Sequence, residues 1–235
     1  MLKKEEEDRM KNIILIAPPA AGKGTQSSLI SAFYNIPHIS AGDLLREAAI
    51  NDPFIKSELA KGHLIDSSVT IKLLEDRILK PDCKDGYIFD GFPRSMEQAM
   101  LYDRLLQKLD IEFGIIIVLE LSKEEALSRT LQRLTCTNCK AVYNKMVAKQ
   151  KPLQEGICDK CGSVLTQRED DNAITFEKRY NTFLKETQPL ISYYSEKYPI
   201  YFIKSVDSEV TFNQIKNIIN VQELNNDSHQ NSRWN

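Results

Sequence analysis

The sequence predicts an α/β fold in which a parallel sheet is covered by helices on both faces. Short apolar runs alternate with stretches of helical periodicity along most of the chain. The run at 113–119 (FGIIIVL) is apolar without alternation, as a central strand buried on both faces requires. The run at 12–16 (NIILI) feeds directly into a small-residue loop and then a helix, the junction that a parallel sheet repeats.

Taken in order, residues 13–16 read as the first strand and 25–34 as the helix leaving the loop. Residues 37–40 are extended, and Ser40 is placed to cap the next helix. Short helices are expected at 43–50 and 53–62. A longer one at 67–79 puts Val69, Leu73, Leu74 and Ile78 on one face. Residues 87–89 form a buried strand ending at Asp90, and 95–109 a helix. After the central strand, a helix at 123–134 carries Arg129 and Arg133 one turn apart. Helices at 171–184 and 187–198, a last strand at 201–203 and a closing helix at 211–221 complete the fold. The charged residues 3–9 read as a solvated extension, with the fold starting near Met10 and Lys11. The polar residues 225–235, which hold the single Trp234, read as a disordered tail.

The length suits one large domain, or a domain with an insertion, and 42% hydrophobic with 27% charged residues is an ordinary globular balance. A net charge of −2 gives no field that recruits nucleic acid or acidic membrane. No apolar run has the length of a membrane span. The N-terminus lacks the apolar core of a secretory signal and carries acids foreign to transit peptides, so a cytoplasmic location is expected.

The loop APPAAGKGT at 17–25 is the most informative stretch. A strand turning into a helix through small residues aims successive N–H groups at one point, and the helix end adds positive potential. Lys23 supplies a mobile cation, and Thr25 a hydroxyl near where a phosphate-bound Mg²⁺ sits. Against the pattern G-x-x-x-x-G-K-[ST], Gly22 and Lys23 fit, but Gly24 makes the hydroxyl of Thr25 one residue late. Ala17 and Ala20 stand where glycine is usual, and an alanine forced to positive φ costs on the order of 1 kcal/mol. The bland alternative is a strand-to-helix turn without phosphate.

Asp90 opens the segment DGFPR at a strand's carboxyl end, placed to hold waters of a Mg²⁺ ion or to cap the following turn. Asp43 starts a helix, and Arg46 follows one turn later. Arg46 and Arg94 suit bidentate binding of a phosphate. Cys136 and Cys139, with Cys158 and Cys161, form two CxxC knuckles whose four thiolates suit structural Zn²⁺. Disulfides are disfavoured without a secretory signal. Four thiolates leave no open coordination position, so the metal would hold a flap with little core of its own. Cys83 stands apart as an ordinary cysteine. Arg129 and Arg133 precede this flap, and Arg168 and Arg179 follow it. That layout suits a lid over transferring phosphates, a reaction that needs neutralised charge, in-line positioning and exclusion of water.

In combination, the loop at 19–25, SAGD at 40–43, DGFPR at 90–94, the CxxC pair and QREDD at 167–171 resemble the long adenylate kinases with a zinc-bearing lid, over residues 11–221. The resemblance implies a P-loop NTPase-type parallel sheet, a helical NMP-binding insertion at 40–65 and a zinc lid at 132–171. It leaves tails 1–10 and 222–235 outside the fold and implies a monomer. It implies the reaction ATP + AMP ⇌ 2 ADP with Mg²⁺, and no nucleic-acid or membrane partner. By that resemblance Ala20, Ala21, Gly22, Lys23, Gly24 and Thr25 cradle the ATP phosphates. Arg129 stacks on the adenine, Val142 and Tyr143 contact ATP from the lid, and Val210 offers a backbone contact. AMP is held by Ala41, Arg46, His63, Leu64, Ile65, Gly91, Phe92, Pro93, Arg94 and Gln98, with Arg168 and Arg179. Asp43 and Asp90 act on Mg²⁺ through water, and Lys23, Arg94, Arg133, Arg168 and Arg179 carry the charge of transfer.

Several positions depart from that pattern. Ala17 and Ala20 replace glycines, Ala41 a common threonine and His63 a frequent lysine; Gln132 and Leu134 flank Arg133 where glycine and arginine are common. Three alternatives remain open at this point. One is the same chemistry on UMP or CMP, which Ala41 tolerates and Gln98 opposes. Another is a zinc-ribbon nucleic-acid binder using Lys140, Lys145, Lys149, Lys151 and Tyr143. The third is an inactive nucleotide-binding protein with a degraded loop, against which Lys23 and the arginines speak.

Overall fold

Strand β1 (Ile13–Ile16) is buried at every residue and forms the middle of the sheet. The computed structural model describes residues 12–231 apart from positions 62 and 169, with side chains as far as residue 220 except at position 148. The extension expected at 1–10 and the lone Trp234 lie outside the described residues. β1 pairs in parallel with β3 (Ile88–Asp90) on one side and β4 (Ile115–Glu120) on the other. β2 (His38–Ser40) pairs with β3, and β8 (Ile200–Lys204) with β4, giving the parallel order β2-β3-β1-β4-β8.

Alternation along these strands builds two cores. Ile14, Ile16, Phe89, Ile116 and Val118 face α4 (Ser67–Ile78), α5 (Met96–Leu109) and α8 (Pro189–Ser195). Ile13, Leu15, Ile88, Ile115, Ile117 and Leu119 face α1 (Lys23–Tyr34) and α9 (Ser208–Asn231). Each such buried side chain contributes roughly 1.5–3 kcal/mol, which is why unbroken apolar runs form the strands. From β1 the chain crosses to β2, and from β3 it crosses back past β1 to β4, so the connections of these two neighbours leave in opposite directions. The carboxyl ends of the strands there form the crevice where ligands of such sheets bind.

Two smaller units flank that crevice. α2 (Ala41–Ala48) and α3 (Pro53–Lys61) share a local core of Leu45, Ala49, Ile55 and Ile65. Ser40 caps α2 as expected, accepting from the Asp43 N–H at 3.2 Å. The second unit is an antiparallel sheet of β5 (Arg133–Cys136), β6 (Val142–Asn144) and β7 (Leu165–Thr166), in the order β6-β5-β7.

Four expectations need correction. α6 (Lys123–Leu131) stops short of Arg133, which instead opens β5. Pairing of β5 with both β6 and β7 overrides the helical preference of that stretch, so Arg129 and Arg133 do not share a helix. On α4 the buried positions are Ser67, Thr70, Leu74 and Ile78, while Val69 is turned out, 36% exposed. The helix expected from 171 starts later, as α7 (Ala173–Thr182) capped by Asn172, and a π-helical stretch Phe183–Thr187 joins it to α8. The closing helix α9 continues past Val221 to Asn231, so part of the polar stretch read as tail has helical backbone.

The phosphate-loop alanines separate cleanly. Ala20 sits at φ 60, in the left-handed region, whereas Ala17 is not among the residues with positive φ. Releasing a non-glycine residue from that region gains about 1 kcal/mol or more, less the extra unfolded-state entropy of glycine. Ala20→Gly is therefore expected to stabilise the protein by up to about 1 kcal/mol, read as a higher denaturation midpoint. A lower midpoint would show that the loop is not strained at Ala20.

Candidate functional site

Gly22, at φ 86, ends the loop as the N-cap of α1, and Lys23 begins the helix. No side chain caps α1 and no acid lies in its first turn, so its leading N–H groups are left for an anion. Gly24 and Thr25 lie in that first turn, and Ala21 is buried beneath the loop. The Lys23 ammonium folds back over the loop and donates to the carbonyls of Ala17 at 2.8 Å and Pro18 at 3.3 Å. Burial pushes its pKa down to about 8; Asp90 opposes that, and Arg94, Arg179 and Arg133 add to it.

Asp90 ends β3 beside β1, so its carboxylate meets the first turn of α1: a Cβ added at Gly24 would lie 3.3 Å from Asp90 Oδ2. Burial tends to raise the pKa of Asp90, but His38, Lys23 and Arg94 outweigh it and hold the carboxyl below its ordinary value. His38 Nε2 lies 3.4 Å from Asp90 Oδ2. Asp43 is turned to Arg46, with which it pairs at 2.5 Å across an exposed helical turn.

Arg94 is held on three sides. Its Nε donates to Gly91 O at 2.7 Å, its N–H to Gln98 Oε1 at 2.8 Å, and its carbonyl accepts from Thr187 Oγ1. Gly91 is needed for this: φ is 74, and a Cβ would approach an Arg94 guanidinium nitrogen to 2.6 Å. Phe92 and Pro93 are buried between them, and Gln98 is buried on α5.

Arg133, from β5, makes a two-pronged ion pair with Asp171, whose side chain is fully buried. Arg179, on α7, pairs with Asp170 at 2.8 Å, and Arg168 Nε donates to Thr135 Oγ1 at 3.2 Å. Partial desolvation among their neighbours lowers the pKa of Arg94, Arg168 and Arg179 first, although Arg94 and Arg168 keep exposed surface. Their neighbours then add to it: Arg179 and Arg46 press on Arg94, Arg133 and Arg46 on both Arg168 and Arg179. Lys23, Arg46, Arg94, Arg133, Arg168 and Arg179 thus form one field at the carboxyl ends of the strands.

Other expected residues lie elsewhere. Arg129 donates to Ser205 and Val206 and is not part of this field. Val210 sits in the first turn of α9 with its N–H held by Asp207 Oδ1 at 2.8 Å. Val142 is half-exposed, whereas the Tyr143 ring is buried in the small sheet. Its hydroxyl accepts from Asp159 N–H at 2.9 Å and lies 3.5 Å from Cys158 Sγ. Ala41 is buried at the start of α2, Ile65 belongs to the α2–α3 core with Leu64 partly covered beside it, and exposed His63 pairs with Glu58 at 2.8 Å. The sequence reading missed Asp170, Asp171, Thr135 and Ser205. The QREDD segment held a signal for the first two, since adjacent acids between arginines invite pairing.

The four knuckle sulfurs lie within 4.8 Å of one another, and the cysteines are unbridged. Cys136 and Cys161 Sγ are 3.4 Å apart, and Cys139 and Cys158 Sγ 3.5 Å. Four thiolates at Zn–S of about 2.3 Å sit roughly 3.8 Å apart in a tetrahedron, so the cluster fits a structural Zn²⁺. Cys83 is separate, buried, and contacted by Arg77 at 3.0 Å; its thiol is pushed up to about 11 by burial.

The family model for adenylate kinase matches residues 15–198 of this chain. The chain belongs to the adenylate kinase family. A protein named adenylate kinase from Archaeoglobus fulgidus is 39% identical over 213 residues, 88% of this chain and 97% of the relative. Those of Thermosipho africanus and Kosmotoga olearia are 36% and 39% identical, over 88% and 89% of this chain and 99% and 100% of theirs. Membership makes the chain a phosphotransferase acting on nucleoside monophosphates. Among the described residues no helix is long and apolar enough to cross a membrane.

Two outcomes follow from this geometry. The free site half-deprotonates Lys23 near pH 8, and a bound polyphosphate favours the ammonium. Binding of a polyphosphate near pH 8 should therefore take up protons, and its affinity should fall as pH rises through that value. Calorimetry in two buffers of different ionisation enthalpy checks this, and buffer-independent heat would contradict it. Replacing Cys136 and Cys139 by serine should abolish bound zinc and lower the melting temperature; unchanged metal content by elemental analysis would remove the metal-centre assignment.

Proposed function

We propose that the chain transfers the terminal phosphoryl group of Mg-ATP to AMP, giving two ADP. The observation that carries this is the field of six cations around one crevice. Lys23, Arg46, Arg94, Arg133, Arg168 and Arg179 repel one another there, and their nearby carboxylates are Asp43, Asp90, Asp170 and Asp171. Such a field is stabilised by a highly anionic occupant, as two nucleotides facing each other through their phosphates would be.

In this reading the N-terminal amides of α1 and Lys23 hold the donor phosphates. Arg46 and Arg94 hold the acceptor phosphate. Arg133, Arg168 and Arg179 approach from the zinc-lid side, where Asp170, Asp171 and Thr135 aim them, and meet charge as it spreads over the transferring group. Asp90, kept ionised, would hold Mg²⁺ through water, and the ion would supply further neutralisation of the donor phosphates. The attacking phosphate oxygen of AMP is already ionised at neutral pH, so no general base is required. Arg133 lies on β5 at the base of the lid, so closure would bring charge and exclude water in one motion.

Gln98 supports adenine as the acceptor base. Its Oε1 is held by the Arg94 N–H, and among the described residues no acceptor meets its amide group. That donor matches the unprotonated ring nitrogen of adenine, which cytosine shares, where uracil and guanine present an N–H instead. The buried Tyr143 ring, with its hydroxyl occupied, is unavailable for stacking on bases, which weighs against the nucleic-acid reading. A monomer in the cytoplasm, with residues 40–65 and 132–171 as the mobile parts, completes the proposal.

The test is one zinc-replete preparation offered AMP, CMP, UMP and GMP with Mg-ATP in a coupled ADP assay. AMP is expected to be the preferred acceptor, and Lys23→Ala to lower kcat by about 10²–10³ with an unchanged melting temperature. Preference for CMP or UMP would replace the acceptor assignment. Turnover indifferent to Lys23→Ala would remove the role of the loop.

A further inference from the structure

The cation expected at the adenine and the loop expected at the phosphates meet at one buried serine that neither motif contains. Ser205 follows β8 and is 9% exposed. Its N–H donates to Glu120 O at 2.9 Å, which extends the β4–β8 ladder by one step and fixes its backbone to the central sheet. Its hydroxyl donates to Ala21 O at 2.9 Å, the carbonyl immediately before Gly22. A hydroxyl has one hydrogen and two lone pairs, so with its hydrogen on Ala21 the oxygen is left to accept. Arg129 Nη1 donates to it at 2.9 Å, while Arg129 Nη2 donates to the carbonyls of Ser205 at 2.8 Å and Val206 at 3.0 Å. One residue therefore fixes both ends of the guanidinium plane and the last turn of the phosphate loop. Gln26, on α1, reaches the same segment, its Nε2 donating to Ser208 O at 3.0 Å.

We propose that Ser205 is a positioning residue for the donor nucleotide: through its hydroxyl it locks the Arg129 guanidinium at a fixed offset from the phosphate loop. This rests on the proposed function, in which the loop meets the phosphates, and on the role that the family resemblance implies for Arg129 at the adenine. Without the hydroxyl, Arg129 keeps its contacts to two carbonyls but loses the bond that refers its position to the loop. The guanidinium can then pivot, and ATP must order it on binding. The loop itself retains Gly22, Lys23 and the helix end, so its grip on phosphate alone should persist.

The test uses the full-length, zinc-replete chain and calorimetry with two probes, ATP and inorganic tripolyphosphate. Ser205→Ala should weaken ATP binding roughly tenfold, the scale of one hydrogen bond to a charged group, and leave tripolyphosphate affinity unchanged. In an Arg129→Ala background, Ser205→Ala should weaken ATP no further, because the serine acts through the arginine. Ser205→Thr keeps the hydroxyl and should keep ATP affinity. Unchanged ATP affinity in Ser205→Ala overturns the inference. So does an equal loss for both probes, which would make Ser205 a support of the loop alone, or a loss in Ser205→Thr as large as in Ser205→Ala. A wild-type protein that binds tripolyphosphate but not ATP would overturn the adenine reading of Arg129. One that binds neither would overturn the proposed function itself.

Discussion

Mutual repulsion among basic side chains is the constraint around which this structure is arranged. Two like charges ~6–10 Å apart repel by about 2–3 kcal/mol at the effective dielectric near a protein surface. Lys23, Arg94, Arg168 and Arg179 each feel two or more cations from among Arg46, Arg94, Arg133 and Arg179, so the crevice is costly without anions. The fold meets that cost with hydrogen bonds that hold each cation in place without neutralising the whole field. Arg133 is pinned to a buried carboxylate, Arg94 to a glycine carbonyl and Arg168 to a hydroxyl. Lys23 rests on two loop carbonyls, which hold an ammonium but do not cancel its charge. Residual positive charge in fixed geometry is what stabilises transferring phosphates without reorganisation at the moment of reaction.

The scaffold explains how cations from distant parts of the sequence reach one place. Register places Asp90 opposite Leu15, so the carboxylate and the loop emerge side by side from β3 and β1. The β4–β8 pair does the same for Glu120 and Lys204, and one residue later for Ser205. The lid sheet brings Arg133 next to Asp171, which lies far away in sequence, and the loop after β7 brings Arg168 to Thr135. Strand register thus sets the site's dimensions, and the buried isoleucines that fix register also fix the chemistry.

Much of this was legible in the sequence because it rests on local patterns. The strand–loop–helix junction, the Ser40 cap, the paired knuckles and the strand ending at Asp90 each depend on neighbouring residues. What was misread depends on tertiary pairing. Arg133 reads as helical because it follows a helical stretch, yet two strand partners claim it. Val69 looks like a core residue by type but lies off the stripe formed by Ser67, Thr70, Leu74 and Ile78. Asp171, Thr135 and Ser205 are ordinary polar residues in sequence, and each gains its role from a partner many positions away.

Tyr143 shows how the lid resolves two demands with one residue. The lid core consists of Leu134, Cys136, Tyr143, Cys158 and Leu165, too few apolar side chains to hold three short strands by burial alone. The sulfurs must therefore contribute to cohesion, and a thiolate set carries excess negative charge that needs donors around it. The Tyr143 hydroxyl accepts from Asp159 N–H, which leaves its own hydrogen for Cys158 Sγ. The same ring packs opposite Leu134, one residue after Arg133 on β5. A residue that pattern matching assigns to the nucleotide thus has its side chain turned to the knuckle, and β6 presents Val142 and the backbone on the other side. Through that ring, the strand that carries Arg133 is joined to the Cys158 sulfur.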